Sequence, residues 1–430
     1  MTTCLEHKDL PIVNKNSNKD DQYHCRFCSS NLKYTFVDLG MSPIANEMLP
    51  ENKLNSMEPF YPLHVYVCDQ CFLVQLPEHQ NREAIFNDHY TYFSSYSDSW
   101  LKHVKKYVDM MTKRFSYSEK SLVVELASND GYLLQYFKEK NIPVLGIEPA
   151  GNAAQVAIDK GIPSLVKFFG ENTAIELAKE KKSADLIIAI NVLAHVPDIN
   201  DFVLGMKKLL KPTGVINVEF PHLMSLMDFN QFDTIYHEHF SYFSLSTVNE
   251  IFRKHQLKVF DVQKLESHGG SIRIFATHIN NSNELLSDNL KNLLLLEEEQ
   301  GFRSISRYLG YQDKVNSTKR KLLDFLIEEK SRGKTIVAYG APAKGNTLLN
   351  YCGIHTDLVD YTVDKSPYKQ GMYLPGVHIP VYDPKKIFET KPDYVLILPW
   401  NLRIEISEQM KEIRDWSGKF VVTMPALEIF

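Results

Sequence analysis

Nine consecutive residues, Tyr236-His237-Glu238-His239-Phe240-Ser241-Tyr242-Phe243-Ser244, hold two histidines, a glutamate and two tyrosines. Side chains of these types move protons. An imidazole with an unperturbed pKa of about 6.5 is an available base at neutral pH, a neighbouring carboxylate can orient it, and positioned donors stabilise a developing oxyanion. The bland alternative is a polar loop whose histidines bond only to backbone. A second chemistry is written in two C-x2-C pairs, Cys25/Cys28 and Cys68/Cys71. Two such knuckles supply four thiolates, the tetrahedral set of a closed structural zinc site with no open position for water. A redox C-x-x-C normally occurs singly beside a βαβ pattern, so the doubled spacing favours metal. Cys4 and Cys352 remain as plain thiols.

The elements that must position these groups follow from periodicity. From residue 121 onward, apolar runs such as "SLVVEL", "VLGIE", "ADLIIAI" and "GVINVEF" alternate with helical patterns. That is the order of a parallel sheet with covering helices. The first strand enters a turn, Ala127-Ser128-Asn129-Asp130-Gly131, at the sheet edge where open α/β proteins bind ligands. The turn has a single glycine and no P-loop lysine, so it fits neither a dinucleotide fingerprint nor a phosphate cradle. Glu148 ends the next strand, placed to accept from both hydroxyls of a ribose. Ribose recognition without a phosphate cradle points to S-adenosylmethionine as cofactor. Phe168 and Phe169 are placed to sandwich an adenine, with core packing as the alternative, and Asn191 in "NVLAHV" completes the cofactor set.

Two further motifs extend the site. "HGGSIRIF" offers His268, two glycines that permit close backbone approach, and Arg273, whose planar fork suits a phosphate or carboxylate unless an internal salt bridge occupies it. "VAYGAPAKGNTLL" reads as strand, turn and helix start, with Tyr339, Lys344 and Asn346 near backbone amides suited to a diphosphate. Its alternative is a loop that merely closes a second Rossmann-like core.

The organisation is therefore a polar tail over 1–21, a zinc-binding module over 22–80, a cofactor-binding domain over 81–285, and a helical connector with a second α/β domain over 286–430. Helical pattern dominates from about 275 to 330. The whole is an α/β protein whose central domain has the Rossmann-like class I methyltransferase pattern. A hydrophobic content of 44%, a charged content of 23% and a formal charge of −5 offer no basic field for nucleic acid. The first residues lack the order of a signal peptide and no apolar run spans a membrane, which predicts a cytoplasmic protein. A monomer or small homo-oligomer is expected.

With the zinc knuckles, "SNDG", "NVLAHV", "YHEHFSYFS", "HGGSIRIF" and "YGAPAKGN" in one order, the chain resembles the three-domain sugar C-methyltransferases from about residue 22 to the end. The resemblance implies S-adenosylmethionine-dependent methylation of a nucleotide-linked 4-keto-6-deoxysugar at carbon 3, through an enolate. It implies a catalytic set of Tyr236, Glu238 and His239, with His195 and a tyrosine from the N-terminal part, matched best by Tyr90. Tyr92, two residues on, is then a substrate contact. In this reading His239 is the base, Glu238 orients it or binds a sugar hydroxyl, and Tyr236, His195 and Tyr90 stabilise the enolate or hold the sugar. Ala127 stands where many relatives carry glycine. The competing readings are an NAD-dependent sugar oxidoreductase or epimerase, which lacks its G-x-G-x-x-G, and a zinc-stapled scaffold without catalysis.

Overall fold

The computed structural model describes residues 23–80, 82–85 and 93–430. Tyr34–Ser42, Tyr61–Val67 and Val74–Gln75 form an antiparallel sheet beside the cysteines, and Ser241–Tyr242 adds its fourth strand. Leu63, Val65 and Val67 alternate inward along the second strand, the period of two that one buried face requires. The fourth strand begins two residues after His239. The Tyr236–His239 segment is therefore anchored to the cysteine module through backbone hydrogen bonds.

The central sheet has seven strands in the spatial order Leu257–Leu265, Ser271–His278, Leu210–Pro221, Ala184–Ile190, Val123–Leu126, Val144–Ile147 and Ser164–Leu165. Pairing is parallel from Leu210–Pro221 to Ser164–Leu165, and Ser271–His278 runs antiparallel to both its neighbours. The purely parallel sheet expected from the sequence is thus closed by one reversed strand. That strand also delays the helical connector: "SIRIFATH" is extended, so the connector starts at Asp288 and runs as Asp288–Glu299 and Tyr311–Ser331. Val123, Val124 and Leu126 are fully buried under helices on both faces, each such side chain contributing roughly 1.5–3 kcal/mol of hydrophobic stabilisation. Asp98–Phe115 opens the domain as a helix because Ser97 accepts the Trp100 amide at its N-terminus.

The third sheet follows the order Val381–Tyr382, Thr362–Val363, Ile336–Tyr339, Tyr394–Ile397, Lys419–Val422 and Glu428–Ile429, parallel except for the last strand. The strand order reverses between Ile336–Tyr339 and Tyr394–Ile397, which makes their carboxyl ends a ligand crevice by the open-sheet rule. The three parts are bonded together. Met372–Tyr373 pairs with Leu49–Pro50, Asn346 donates to the Ala45 carbonyl, and Thr347 donates to the Ile235 carbonyl at 2.8 Å.

Candidate active site

Loops at the carboxyl ends of the central and C-terminal sheets face one cavity of about 450 Å³. Ala127, Asn129, Glu148 and Asn191 line it from one side, His195, Tyr236, Glu238, His239 and His268 line its middle, and Lys344, Lys369 and Asn401 line it from the C-terminal domain. Asn46 reaches it from the zinc module.

At the cofactor end the backbone of the first turn is left-handed at Ala127, Asn129 and Gly131, with φ of 51°, 49° and 76°. Ala127 bears a Cβ in a conformation that favours glycine, which accounts for the residue expected there in relatives. The Glu148 carboxylate accepts the Asn129 amide with one oxygen and the Ala150 amide with the other, both at 2.8 Å. Its plane is fixed, and the remaining lone pairs face the cavity. Burial raises Glu148 to about 7 against those two bonds. Asn191 presents an Oδ1 that is buried and has no partner among the described residues. An acidic strand end with an unsatisfied amide oxygen beside it fits the ribose and amine of S-adenosylmethionine. Phe168 and Phe169 both line this end, although Phe168 carries the Arg82 guanidinium 4.5 Å from its ring and Phe169 meets Phe202 edge-on at 5.4 Å.

The other turn residues do not line the cavity. The Ser128 hydroxyl lies against Gly146 of the next strand, where a Cβ would meet it at 2.4 Å. Asp130 turns to Ser95 and Lys160, and Gly131 rests on Ala157 and Ile162. Their contacts hold the turn.

In the middle of the cavity His239 Nδ1 lies 2.8 Å from the Thr234 carbonyl. A carbonyl only accepts, so Nδ1 carries the proton and Nε2 carries the lone pair. The sequence reading left Glu238 either to orient His239 or to bind a sugar hydroxyl. The structure gives the orienting role to the backbone, and the Glu238 carboxylate instead accepts from Asn46 Nδ2 at 2.6 Å. The His239 ring stands 4.0 Å from Tyr236 and 4.7 Å from His195, centroid to centroid. Burial, then the neighbouring His195, Lys344 and His268, push His239 well below its ordinary value. Burial lowers His195 and His268 to about 4 and raises Glu238 to about 7. Three neutral imidazoles thus line one cavity at neutral pH. His268 has φ of 54° and packs edge-on against Trp100. His237 points away, to the Pro62 carbonyl and the ring of Tyr61.

Three expected substrate contacts lie elsewhere. Arg273 is 4% exposed, with its guanidinium on the Glu219 carboxylate at 2.6 Å and over the Tyr107 ring at 4.5 Å, so its fork is spent internally. Burial favours a raised Glu219, but His103 and Arg273 outweigh it and hold the carboxyl at about 2. Tyr339 is buried within the C-terminal sheet, and Asn346 is used on Ala45. Tyr90 and Tyr92 lie outside the described residues. Lys344 does line the cavity, bonded to Asn401 at 2.9 Å and 4.8 Å above the Trp400 ring; burial lowers its amine and Asp233 opposes that shift. Sequence reasoning missed Asn46, Trp100, Lys369 and Asn401. Asn401 sits at a strand's carboxyl end in "LILPWN", a position the open-sheet rule marks for ligands, whereas the other three carry no local signal.

The four cysteine sulfurs lie within 4.8 Å of one another, with Cys25–Cys71 and Cys28–Cys68 each at 3.5 Å. Sulfurs about 2.3 Å from a zinc ion stand about 3.8 Å apart in a tetrahedron, so the donor set fits that metal. Gln75 donates to Cys25 Sγ at 3.1 Å, the outer-shell bond expected of a thiolate site.

Three family models match in chain order. Residues 25–86 match one described as "Putative zinc binding domain", 100–262 a methyltransferase domain, and 266–425 a C-methyltransferase C-terminal domain. C-methyltransferase NovU of Streptomyces niveus is 35% identical over 401 residues, 93% of this chain and 95% of that one. The chain belongs to the C-methyltransferase family. This C-methyltransferase takes its methyl group from S-adenosylmethionine, and its N-terminal module is the zinc-binding one. Membership sets aside the NAD-dependent and non-catalytic readings. A ubiquinone biosynthesis O-methyltransferase of Rhodopseudomonas palustris is 27% identical over 26% of the C-methyltransferase and 46% of its own length. Among solved structures, the PH0226 protein of Pyrococcus horikoshii OT3 is similar at a TM-score of 0.37 and 15% identity, covering 44% of this chain and 95% of that one. No helix of the described residues is long and apolar enough to cross a membrane.

Proposed function

We propose that this C-methyltransferase methylates carbon 3 of a nucleotide-linked 4-keto-6-deoxysugar through an enolate. The observation that carries the reading is His239: its Nδ1 is tied to the Thr234 carbonyl, and its ring lines the cavity between the cofactor end and the lysines. Carbon becomes a nucleophile at accessible cost only beside a carbonyl, and a base must then stand over that carbon. His239 Nε2 takes the proton from carbon 3, and the C–H electron pair becomes the enolate with its charge on the ketone oxygen. Because His239 lies well below 6.5, it is neutral and ready at pH 7 but a weak base. The larger share of the work therefore falls on stabilising the oxyanion. Tyr236 and His195 are the described donors for it, with Tyr90 a further one. Glu238, freed from orienting His239, takes a sugar hydroxyl with Asn46.

When bound, S-adenosylmethionine would supply an electrophilic sulfonium methyl for the enolate carbon. Glu148 and Asn191 would hold its ribose and amino-acid end, with Phe168 and Phe169 on the same side of the cavity. Lys344, Lys369 and Asn401 face the nucleotide's diphosphate, at the reversal of strand order where open sheets bind anions and nucleotides. The test is incubation of the protein with S-adenosylmethionine and a panel of 4-keto-6-deoxysugar nucleotides. A gain of one methyl on carbon 3, read by mass and NMR, is expected; methylation on oxygen or at carbon 5 would overturn the assignment.

A further inference from the structure

The short turn Phe232–Thr234 is held from the C-terminal domain. Asp233 is 0% exposed, and its Oδ2 accepts the Trp400 indole N–H at 2.6 Å. Trp400 follows the carboxyl end of Tyr394–Ile397 and is wedged against Gly269, where a Cβ would meet the indole at 2.3 Å. Gln231 donates to the Gly269 carbonyl at 2.7 Å on the other side of the same turn. Thr347, on the helix Ala343–Cys352, donates to the Ile235 carbonyl at 2.8 Å. Between these anchors lies Thr234, whose carbonyl fixes the His239 ring. A buried hydrogen bond to a charged acceptor is among the stronger ones available, and it selects one direction for the turn.

We propose that Asp233 and Trp400 are a positioning pair that sets the tautomer and aim of His239, so that docking of the C-terminal domain prepares the base. The chain of contact runs from the indole N–H to the Asp233 carboxylate, through one peptide to the Thr234 carbonyl, and on to Nδ1–H. Without the indole donor, the buried Asp233 carboxylate loses the side-chain hydrogen bond that ties it to the C-terminal sheet, keeping only the Lys344 charge and backbone amides, and the turn relaxes. The Thr234 carbonyl then no longer demands a proton at Nδ1, and the base spends time with its lone pair facing the wrong way.

This inference rests on His239 being the base, and the test separates the two. His239 is assigned by ¹⁵N-histidine NMR of the full-length protein, wild type against H239A, and its tautomer is read in W400F, D233A and D233N alongside steady-state kinetics. Wild type shows the Nδ1–H tautomer. W400F and D233A show a tautomer mixture, with kcat reduced about 10- to 100-fold and KM for the sugar nucleotide within about twofold, because misaim of a reacting group costs rate without ground-state binding. D233N keeps an acceptor for the indole and recovers both signals. A wild-type tautomer with wild-type kcat in W400F overturns the pair. So does a fall in kcat with the tautomer unchanged. Should W400F not fold, the contrast between D233A and D233N decides alone: equal tautomer populations overturn the proposal. If the tautomer shifts while H239A retains turnover, the pair stands and the assignment of the base falls.

Discussion

His239 and Glu148 carry opposite pKa displacements for the same reason. Burial disfavours charge, which lowers an imidazole and raises a carboxyl. The consequences differ. On the proposed mechanism neutral His239 is the working form, so its protonation does not limit the rate at mildly acid pH. On the same proposal Glu148 must ionise to attract a ribose and a cationic cofactor, and with its value near 7 its ionised fraction falls as pH drops from 8 to 6. The dissociation constant for S-adenosylmethionine, measured by calorimetry, should rise towards about tenfold per pH unit below 7. E148Q should bind weakly at every pH and lose that slope; a slope that persists in E148Q would place the titration elsewhere. The cysteines, Glu148 and the His239 cluster were legible because each is set by short-range spacing or by a strand end. Arg273 was misread because its partner Glu219 lies 54 residues away, and Asn346 because its acceptor Ala45 lies 301 residues away. For Arg273 the internal salt bridge weighed from the sequence is the one found, and the Asn346 amide nitrogen is taken by a partner that the local motif does not show.

Among the elements, Ser241–Tyr242 links the cysteine cluster to the proposed base. It pairs with Val74–Gln75, three residues beyond Cys71, and Thr247 donates to the Cys71 carbonyl at 3.1 Å. Opening the cysteine cluster loosens the strand on which the Tyr236–His239 segment is hung. Metal analysis should return about one zinc per chain, since four thiolates close one site. Stripping it with a strong chelator should lower Tm and methyl transfer together, because a structural zinc contributes its binding energy to folding. An unchanged Tm with full activity after complete zinc loss would make the cluster incidental. Alternating apolar runs made the parallel strands readable in advance. The reversed strand Ser271–His278 was not placed, since a strand's direction depends on its neighbours and leaves no mark on its own periodicity.

At the scale of the molecule, the cavity belongs to no single domain. The zinc module gives Asn46, the central domain gives the cofactor turn and the imidazoles, and the C-terminal domain gives Lys344, Lys369 and Asn401. This division predicts a separation in kinetics. K369A and N46A should raise KM for the sugar nucleotide about tenfold or more while leaving the affinity for S-adenosylmethionine within about twofold, as expected when contacts to one substrate are removed. An equal loss for both ligands would mean that the two residues hold the domains together instead. The domain-spanning arrangement itself was expected from the order of motifs; which faces meet was fixed by contacts such as Glu238 with Asn46, invisible until the chain folds.

The central claim is proton abstraction by His239, and hydrogen exchange reads it without waiting for methyl transfer. The full-length protein is incubated in deuterated water with a 4-keto-6-deoxysugar nucleotide and S-adenosylhomocysteine, which assembles the site but carries no methyl to donate. Deuterium should enter at carbon 3 with wild type, and H239A should slow that entry by about 10²-fold or more, the usual worth of a positioned base. Entry at carbon 3 at the wild-type rate in H239A would contradict the account.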